Sequence, residues 1–309
     1  MRVAFFGTPE FATAPLRALI GEGHDVVLVV TQPDRPRGRS RSQLDPSPVK
    51  RVALEENIPV LQPERPRGDA GFLEALRAVE PDISVVVAYG HILPREVIDL
   101  PAHGTLNIHA SLLPSYRGAA PIQAAVRDGC AETGVTIMRM VPALDAGPAI
   151  LTLATPIAID ETAGELQLRL SELGAAAIVE ALALLSVGAA PEHPQDDALA
   201  TYARKIERAD ARVDFSHPAT RVACAIRAYD PKPGAWAVHR DGEVRLFGAM
   251  LADATGVPGT ILSASPEGMV VACGTGAVRI TEVHPAGKRR QRIAEWLRGR
   301  GVLEGERLH

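Results

Sequence analysis

The sequence predicts an α/β fold with a parallel sheet, followed by a smaller β-rich domain. Short, continuously apolar runs at 2–6, 26–30 and 83–89 alternate with helical patterns, which is typical of parallel strands covered by helices on both faces. Strand-like runs separated by hairpin turns fill the chain after residue 230. We therefore expect a doubly wound, Rossmann-like N-terminal domain and a C-terminal β-barrel.

The remaining elements of the N-terminal domain continue this alternation. In chain order they are a helix through Leu19, helices at 48–56 and 70–79, and strands at 104–109, 133–140 and 149–157. A long Ala- and Leu-rich helix at 162–187 ends the domain.

A change of composition separates the two domains. Residues 188–207 are small, charged and proline-bearing, as in a linker. We therefore assign one domain to 1–187 and a second domain to 208–309. The second domain has a predicted helix at 216–229 and hairpin turns at Asp241-Gly242 and at 274–276.

The composition is that of an ordinary globular chain, with 46% hydrophobic and 23% charged residues among 309. No apolar run approaches the roughly 20 residues that span a bilayer, and the N-terminus lacks the apolar core of a signal peptide. The three cysteines are widely spaced and odd in number, which disfavours a disulfide framework and a zinc cluster. We expect a cytoplasmic monomer with neither a metal nor membrane contact.

The first strand-to-helix turn argues against a common class of cofactor. A dinucleotide site needs the spacing G-x-G-x-x-G, because its glycines allow a tight turn and close approach of the pyrophosphate. Here Gly7 is followed by Thr8, Pro9 and Glu10, so we expect no NAD. The chain also lacks a Walker A loop, an HExxH helix and a GxSxG turn.

The strand at 104–109 ends with two polar residues on one face. Asn107 and His109 are two positions apart, so their side chains point the same way. Beyond the carboxyl end of such a strand, His109 could act as acid, base or hydrogen-bond donor, and Asn107 as an oxyanion donor. Asp145, two residues before Gly147, is the candidate partner of the imidazole. The alternative is a histidine satisfied by backbone and an aspartate that makes a turn.

Longer motifs surround these three residues. The segment NIHASLLPSYRGAAP is followed along the chain by LDAG, which contains Asp145. This constellation resembles the folate-dependent formyltransferase family. The resemblance extends over essentially the whole chain through VAFFGTPEFA, TQPDRPRGR, PSPVK, ETGVTIMRM, KIERADARVDF, IRAYDPKPGAW and PAGK.

The resemblance implies a reaction and the residues that perform it. The formyl group of 10-formyltetrahydrofolate would move to the α-amino group of methionine esterified to initiator tRNA, for translation initiation. Asn107, His109 and Asp145 match the catalytic trio of the family, in which the first two would hold an oxyanion and the third would keep His109 donating. The segment that binds the folate matches Ser111, Leu112, Leu113 and Pro114.

Basic residues are concentrated in two segments. Residues 34–51 carry six basic against two acidic residues, and 287–309 carry seven against three. The resemblance implies that the first segment enters the tRNA acceptor stem, and a small barrel of the OB type commonly binds nucleic acids. Solvated surface is the alternative for each segment. The candidate tRNA-binding residues are Arg35, Arg37, Arg39, Arg41, Lys205, Lys288, Arg289 and Arg290.

Two other functions stay open at this point. A folate-dependent formyltransferase could act on a sugar nucleotide or another small amine, although such substrates do not need the basic segments. A non-catalytic RNA-binding protein could keep the fold, although Asn107, His109 and Asp145 would then be free to change. Tyr116 and Arg117, beside the folate segment, either contact a ligand or pack the loop.

Overall fold

The computed structural model describes residues 1–37, 43–240, 242–299 and 301–309. Two compact units, each made of several chain segments, account for the chain. The first unit comprises Met1–Gly118, Gly134–Thr155 and Gln167–Tyr202, and the second comprises Ala119–Thr133, Pro156–Leu166 and Ala203–His309. The domain limits drawn from the sequence, 1–187 and 208–309 with a linker at 188–207, stay a prediction.

A seven-stranded sheet forms the centre of the first unit, and a two-stranded hairpin accompanies it. The strands, in chain order, are β1 Arg2–Gly7, β2 Asp25–Val30, β3 Arg35–Arg37, β4 Gln43–Asp45, β5 Val60–Leu61, β6 Ile83–Val87, β7 Thr105–His109, β8 Glu132–Arg139 and β9 Ala149–Pro156. The sheet has the order β5-β2-β1-β6-β7-β8-β9, and β3 pairs with β4. Neighbouring strands from β5 to β7 are parallel, whereas β8 runs antiparallel to β7. The predicted doubly wound sheet is therefore confirmed, with an antiparallel strand added beyond β7.

The strand order reverses around β1, which pairs with β2 on one side and with β6 on the other. Ligands of open α/β sheets bind outside the carboxyl ends of the strands at such a reversal. Because β7 pairs in parallel with β6, its last residues border the same edge of the sheet. The topology thus brings the end of β7 to the usual position of a ligand site.

Helices follow the strands as the sequence predicts. The helices up to residue 186 are α1 Thr13–Gly21, α2 Pro48–Glu55, α3 Ala70–Ala78, α4 Arg95–Ile98, α5 Pro121–Arg127 and α6 Ala163–Ser186. The side chains of Ser47 and Asp69 begin α2 and α3, because each accepts a hydrogen bond from a backbone N–H of the first turn. The predicted helices at 48–56, 70–79 and 162–187 agree closely with α2, α3 and α6.

The continuous apolar runs become buried strands. Every residue of β6 is buried, and so is every residue of β1 except the first. Phe6 of β1 meets the rings of Phe72 and Tyr89 edge to face, with centroids 6.4 and 5.6 Å apart. Removing an aromatic ring from such a core costs about 3–5 kcal/mol, so this cluster fixes the strands that border the ligand edge.

An antiparallel sheet forms the centre of the second unit. Its elements, in chain order, are helix α7 Ala219–Ala228, strands β10 Ala235–His239, β11 Gly242–Ala252, β12 Ile261–Ser265, β13 Gly268–Ala272, β14 Ala277–Pro285 and β15 Gln291–Arg292, and helix α8 Ile293–Arg298. The strand order is β10-β11-β14-β13-β12, with β15 paired to β14. A turn at 274–276 joins β13 to β14 as predicted, whereas Asp241 of the other predicted turn lies outside the described residues.

The last residues of the chain close this sheet into a barrel. Val238 of β10 exchanges two backbone hydrogen bonds with His309, of 2.7 and 2.9 Å. On the opposite edge, the backbone N–H of Ile261 in β12 donates to the carbonyl of Glu306 at 2.8 Å. Residues 306–309 therefore join β10 to β12, and the predicted C-terminal barrel is confirmed.

Candidate active site

Asn107 and His109 lie on one face of β7, as the alternation predicts. Strand pairing places Asn107 between Val86 of β6 and Met138 of β8. Asn107 is half-buried, and His109 is only 5% exposed. Within the described residues the Asn107 carboxamide has no hydrogen-bond partner, so its N–H groups are available to a ligand.

The imidazole of His109 is held from two sides. Its Nε2 donates to the backbone carbonyl of Tyr116 at 2.9 Å, and because a carbonyl only accepts, Nε2 carries a proton. Its Nδ1 lies 3.7 Å from Oδ2 of Asp145, which is close enough for charge pairing and longer than a hydrogen bond. The structure therefore brings His109 and Asp145 together, as predicted.

Local backbone geometry explains the LDAG motif around Asp145. Asp145 itself has a φ of 46°, in the left-handed region that aspartate tolerates better than most residues. A Cβ at Gly147 would overlap the backbone carbonyl oxygen of Arg139, so only glycine fits there. This turn directs the carboxylate inward, where Oδ2 accepts a hydrogen bond of 2.8 Å from the backbone N–H of Gly118.

The predicted folate segment forms a loop packed on β8. Ser111 is 1% exposed, and its hydroxyl donates to the carbonyl of Ser115 at 2.6 Å. This hydrogen bond stabilises the loop. The hydroxyl of Thr136 in β8 donates to the carbonyl of Ser111 and accepts from the backbone N–H of Leu113, at 2.7 and 3.2 Å. Partly exposed apolar side chains are left on this loop, those of Leu112, Leu113 and Pro114.

Arg117, for which the sequence left two interpretations, packs the loop. Its side chain is 3% exposed, and its guanidinium donates to Oε1 of Gln195 and to Oδ1 of Asp197. The backbone N–H groups of Tyr116 and Arg117 donate to the side chain and the carbonyl of Thr201, both at 2.8 Å. Gln195 and Thr201 were not predicted as site residues, because their segment has the composition of a linker.

The turn after β1 is tied to the neighbouring strands without a glycine-rich fingerprint. A Cβ at Gly7 would lie 2.8 Å from that of Ala12, so this glycine allows close packing of the next helical turn. The carbonyl of Tyr89, after β6, accepts hydrogen bonds from Thr8 Oγ1 at 3.1 Å and from Gln32 Nε2 at 3.2 Å. These contacts fix the carboxyl ends of β1, β2 and β6 relative to one another.

Of the four candidate tRNA-binding arginines in the first basic segment, two lie on described backbone. Arg35 and Arg37 are the ends of β3, and Arg35 donates to Oε1 of Gln32 at 2.6 Å. Arg39 and Arg41 lie outside the described residues. The base of the hairpin is fixed by Lys50, whose Nζ binds Asp34 at 2.5 Å.

The candidate tRNA-binding residues of the second unit differ in solvent exposure and in the partners they contact. Lys205 and Lys288 are exposed, and Arg289 is 84% exposed beside Glu295. Arg290, in contrast, pairs with the carboxylates of Asp230 and Glu282 and lies 4.0 Å from the centroid of the Phe247 ring. The charge of Arg290 is therefore paired within the second unit. Contact between Arg290 and tRNA stays a prediction, and these ion pairs give the side chain a structural role as well.

Two further features of the described residues bear on function. No group of three or more His, Cys, Asp or Glu side chains is placed to hold a metal ion in that part of the chain. Among the helices of the same residues, none has the length and apolarity needed to cross a membrane.

Comparison with known proteins assigns the family. The formyl transferase model matches residues 1–182, and the model of the formyl transferase C-terminal domain matches residues 205–301. The chain belongs to the formyltransferase family. The resemblance inferred from the sequence motifs is therefore confirmed.

Relatives within this formyltransferase family match the chain along its whole length. A methionyl-tRNA formyltransferase of Aromatoleum aromaticum is 50% identical over 308 residues, which are 100% of this chain and 97% of the relative. One of Moorella thermoacetica is 46% identical over 310 residues, covering 100% of this chain and 99% of the relative.

Solved structures share the fold of this chain at low sequence identity. The methionyl-tRNA formyltransferase of Clostridium thermocellum has a TM-score of 0.59 at 13% identity, over 82% of this chain and 94% of that one. HypX from Aquifex aeolicus in complex with tetrahydrofolic acid has a TM-score of 0.66 at 22% identity, over 96% of this chain. The chain spans about half the length of HypX, since the match covers 47% of it.

Proposed function

We propose that this formyltransferase transfers the formyl group of 10-formyltetrahydrofolate to the α-amino group of methionyl initiator tRNA. The observation that carries the proposal is the His109–Asp145 pair at the end of β7, together with the Asn107 carboxamide on the same face of the strand, which no described residue binds. Identity of about half the residues to methionyl-tRNA formyltransferases, over their full length, supports the choice of acceptor.

The proposed reaction begins with a neutral amine. An α-amino group has a pKa of about 8, and esterification of the carboxyl group lowers it, so much of the nucleophile is neutral at pH 7. Its nitrogen bonds to the formyl carbon, and the carbonyl electrons move onto the formyl oxygen. The bond from this carbon to N10 of the folate then breaks. The protein must stabilise the oxyanion and move one proton from the attacking nitrogen to N10.

Asn107 and His109 are assigned the role of hydrogen-bond donors that stabilise the oxyanion. The Asn107 carboxamide offers an N–H donor that no described residue uses. His109 Nε2 already presents its proton to the carbonyl of Tyr116, so the formyl oxygen would replace that carbonyl as the acceptor. Removing one donor of this kind typically lowers kcat by about 10²–10³-fold.

Asp145 is assigned two tasks. Its carboxylate keeps His109 in the donating form from 3.7 Å, while the Gly118 N–H fixes the carboxylate. It also accepts, directly or through water, the proton that leaves the attacking amine. The side chain is 15% exposed, so the carboxylate is sheltered and still within reach of a water molecule.

The folate and the tRNA are assigned to different surfaces. The partly exposed apolar side chains of Leu112, Leu113 and Pro114 would pack against the folate, whereas Ser111 shapes the loop through its buried hydroxyl. The phosphates of the tRNA would meet the arginines of 34–51 and the exposed basic side chains Lys205, Lys288 and Arg289. The proposal includes a cytoplasmic monomer that needs no metal.

The test supplies 10-formyltetrahydrofolate with one of three acceptors, which are methionyl initiator tRNA, free methionine and a dTDP-linked amino sugar. We expect formylated product with the aminoacyl-tRNA only, and an unchanged rate after treatment with a metal chelator. Transfer to the amino sugar would replace the proposal by the small-amine alternative. Tight tRNA binding without turnover would replace it by the RNA-binding alternative.

A further inference from the structure

The segment after α6 contacts the site loops more closely than its linker-like composition suggests. Gln195 is the centre of these contacts, and its carboxamide is fully used. Its Nε2 donates to the carbonyls of Asp145 and Gly147, at 2.9 and 2.7 Å. Its Oε1 accepts from Nε and Nη2 of Arg117, at 3.1 and 2.8 Å. Two carbonyls on one side and a guanidinium on the other allow a single orientation of this amide.

Arg117 anchors Gln195 from inside the unit. The guanidinium is buried, so its charge requires partners, and Asp197 supplies a carboxylate at 2.7 Å while Gln195 supplies the amide oxygen. The main chain of Arg117 is bound in turn, because its N–H donates to the carbonyl of Thr201 at 2.8 Å. Gln195 is therefore attached to a rigid point of the loop that carries Tyr116, the acceptor for His109 Nε2.

These contacts form a closed ring around Asp145. Its carboxylate is bound by the N–H of Gly118, the residue after Arg117, and its carbonyl is bound by Gln195, which is bound by Arg117. The carboxylate and the carbonyl of Asp145 are thus both connected to residues 117–118, the first directly and the second through Gln195. The distance that this ring sets, 3.7 Å between Asp145 Oδ2 and His109 Nδ1, is slightly longer than a hydrogen bond.

We propose that Gln195 is a positioning residue that holds Asp145 against His109 in the formyl transfer proposed above. Without the two N–H donors of Gln195, the carbonyls of Asp145 and Gly147 lose these partners. The left-handed Asp145 is then held at its carboxylate by the Gly118 N–H but no longer at its carbonyl. A displacement of about 1 Å at a catalytic group can lower a rate about 10²-fold. The inference rests on the proposed function, because its effect is seen only in turnover.

The first variant is Gln195→Ala, which removes every hydrogen bond of the carboxamide. We expect kcat to fall by about 10- to 100-fold, with KM for folate and for tRNA each within about threefold of the parent values. The matched control is Asp196→Ala, the adjacent residue, whose side chain caps the following helical turn and does not bind the Asp145 loop. This control should retain the parent kcat.

A second variant separates positioning from folding. Gln195→Glu keeps an oxygen for Arg117 and makes that contact a charge pair, so the segment stays bound. Its other oxygen faces the carbonyls of Asp145 and Gly147, which repel it. We expect the thermal unfolding temperature of the parent, together with the fall in kcat seen for Gln195→Ala. Parent kcat in Gln195→Glu would overturn the inference.

A double-mutant cycle with Asp145→Asn completes the test. If Gln195 acts through Asp145, Gln195→Ala should lower single-turnover rates by less than about threefold in the Asp145→Asn protein. Equal effects in both backgrounds would overturn the positioning role and leave the proposed function intact. A parent protein that does not formylate methionyl-tRNA, or an Asp145→Asn protein of parent activity, would instead contradict the proposed function itself.

Discussion

Replacing Asp145 by asparagine removes one negative charge beside His109 and keeps the shape of the side chain. The asparagine oxygen still accepts from the Gly118 N–H, so the loop should keep its conformation. When His109 is protonated, unit charges 3.7 Å apart interact by about 4.5 kcal/mol at an effective dielectric constant of about 20. Both side chains are largely buried, 6% and 15% exposed, so solvent screening reduces this only in part. We therefore expect kcat to fall by roughly 10²–10³-fold.

The assay for Asp145→Asn is single-turnover formylation with the protein in excess over methionyl-tRNA. This format isolates the chemical steps from product release and still measures rates several orders of magnitude below the parent. Asp99→Asn, at an exposed ion pair of α4, is the matched control and should leave the rate unchanged. A rate for Asp145→Asn within threefold of the parent would refute the charge-pair argument.

Three other predictions concern stability and tRNA affinity. Gly147→Ala should lower the free energy of unfolding, measured in urea, by about 2–3 kcal/mol, because its Cβ overlaps the Arg139 carbonyl. Gly21→Ala, whose Cβ meets nothing within 4 Å, is the control and should not lower it. Arg290→Ala should cost about 1–3 kcal/mol in the same assay, since it leaves the carboxylate of Asp230, 8% exposed, without its cation; a neutral result would contradict this. KM for tRNA should rise roughly tenfold or more between 50 and 200 mM salt if several phosphates are bound, and a salt-independent KM would contradict the assigned surface.

Much of the fold could be predicted because the pattern of apolar residues along the chain indicates which segments are buried. Strands covered on both faces need continuous apolar runs, and β1 and β6 have them. The direction of a strand leaves no such mark, so the antiparallel β8 could not be predicted. The barrel was predicted, but the residues that close it were not, because residues 306–309 act through backbone hydrogen bonds and include only one apolar side chain, Leu308.

The candidate site could be predicted in part. The spacing of Asn107 and His109 gives their shared face, and the family resemblance supplied Asp145 as a partner. Gln195 could not be found this way, because its side-chain hydrogen bonds go to residues far away in the chain and leave no local pattern. Arg290 shows the converse, since a basic residue in a basic segment proved to be paired within its own unit.

The most direct test of the account is the rate of formyl transfer to methionyl initiator tRNA by Asn107→Ala and His109→Ala. Both residues are assigned to the oxyanion, so each change should lower kcat by about 10²–10³-fold while KM for tRNA and the unfolding temperature stay near the parent values. Near-parent turnover by both folded variants would contradict the assignment of this strand end as the site of formyl transfer.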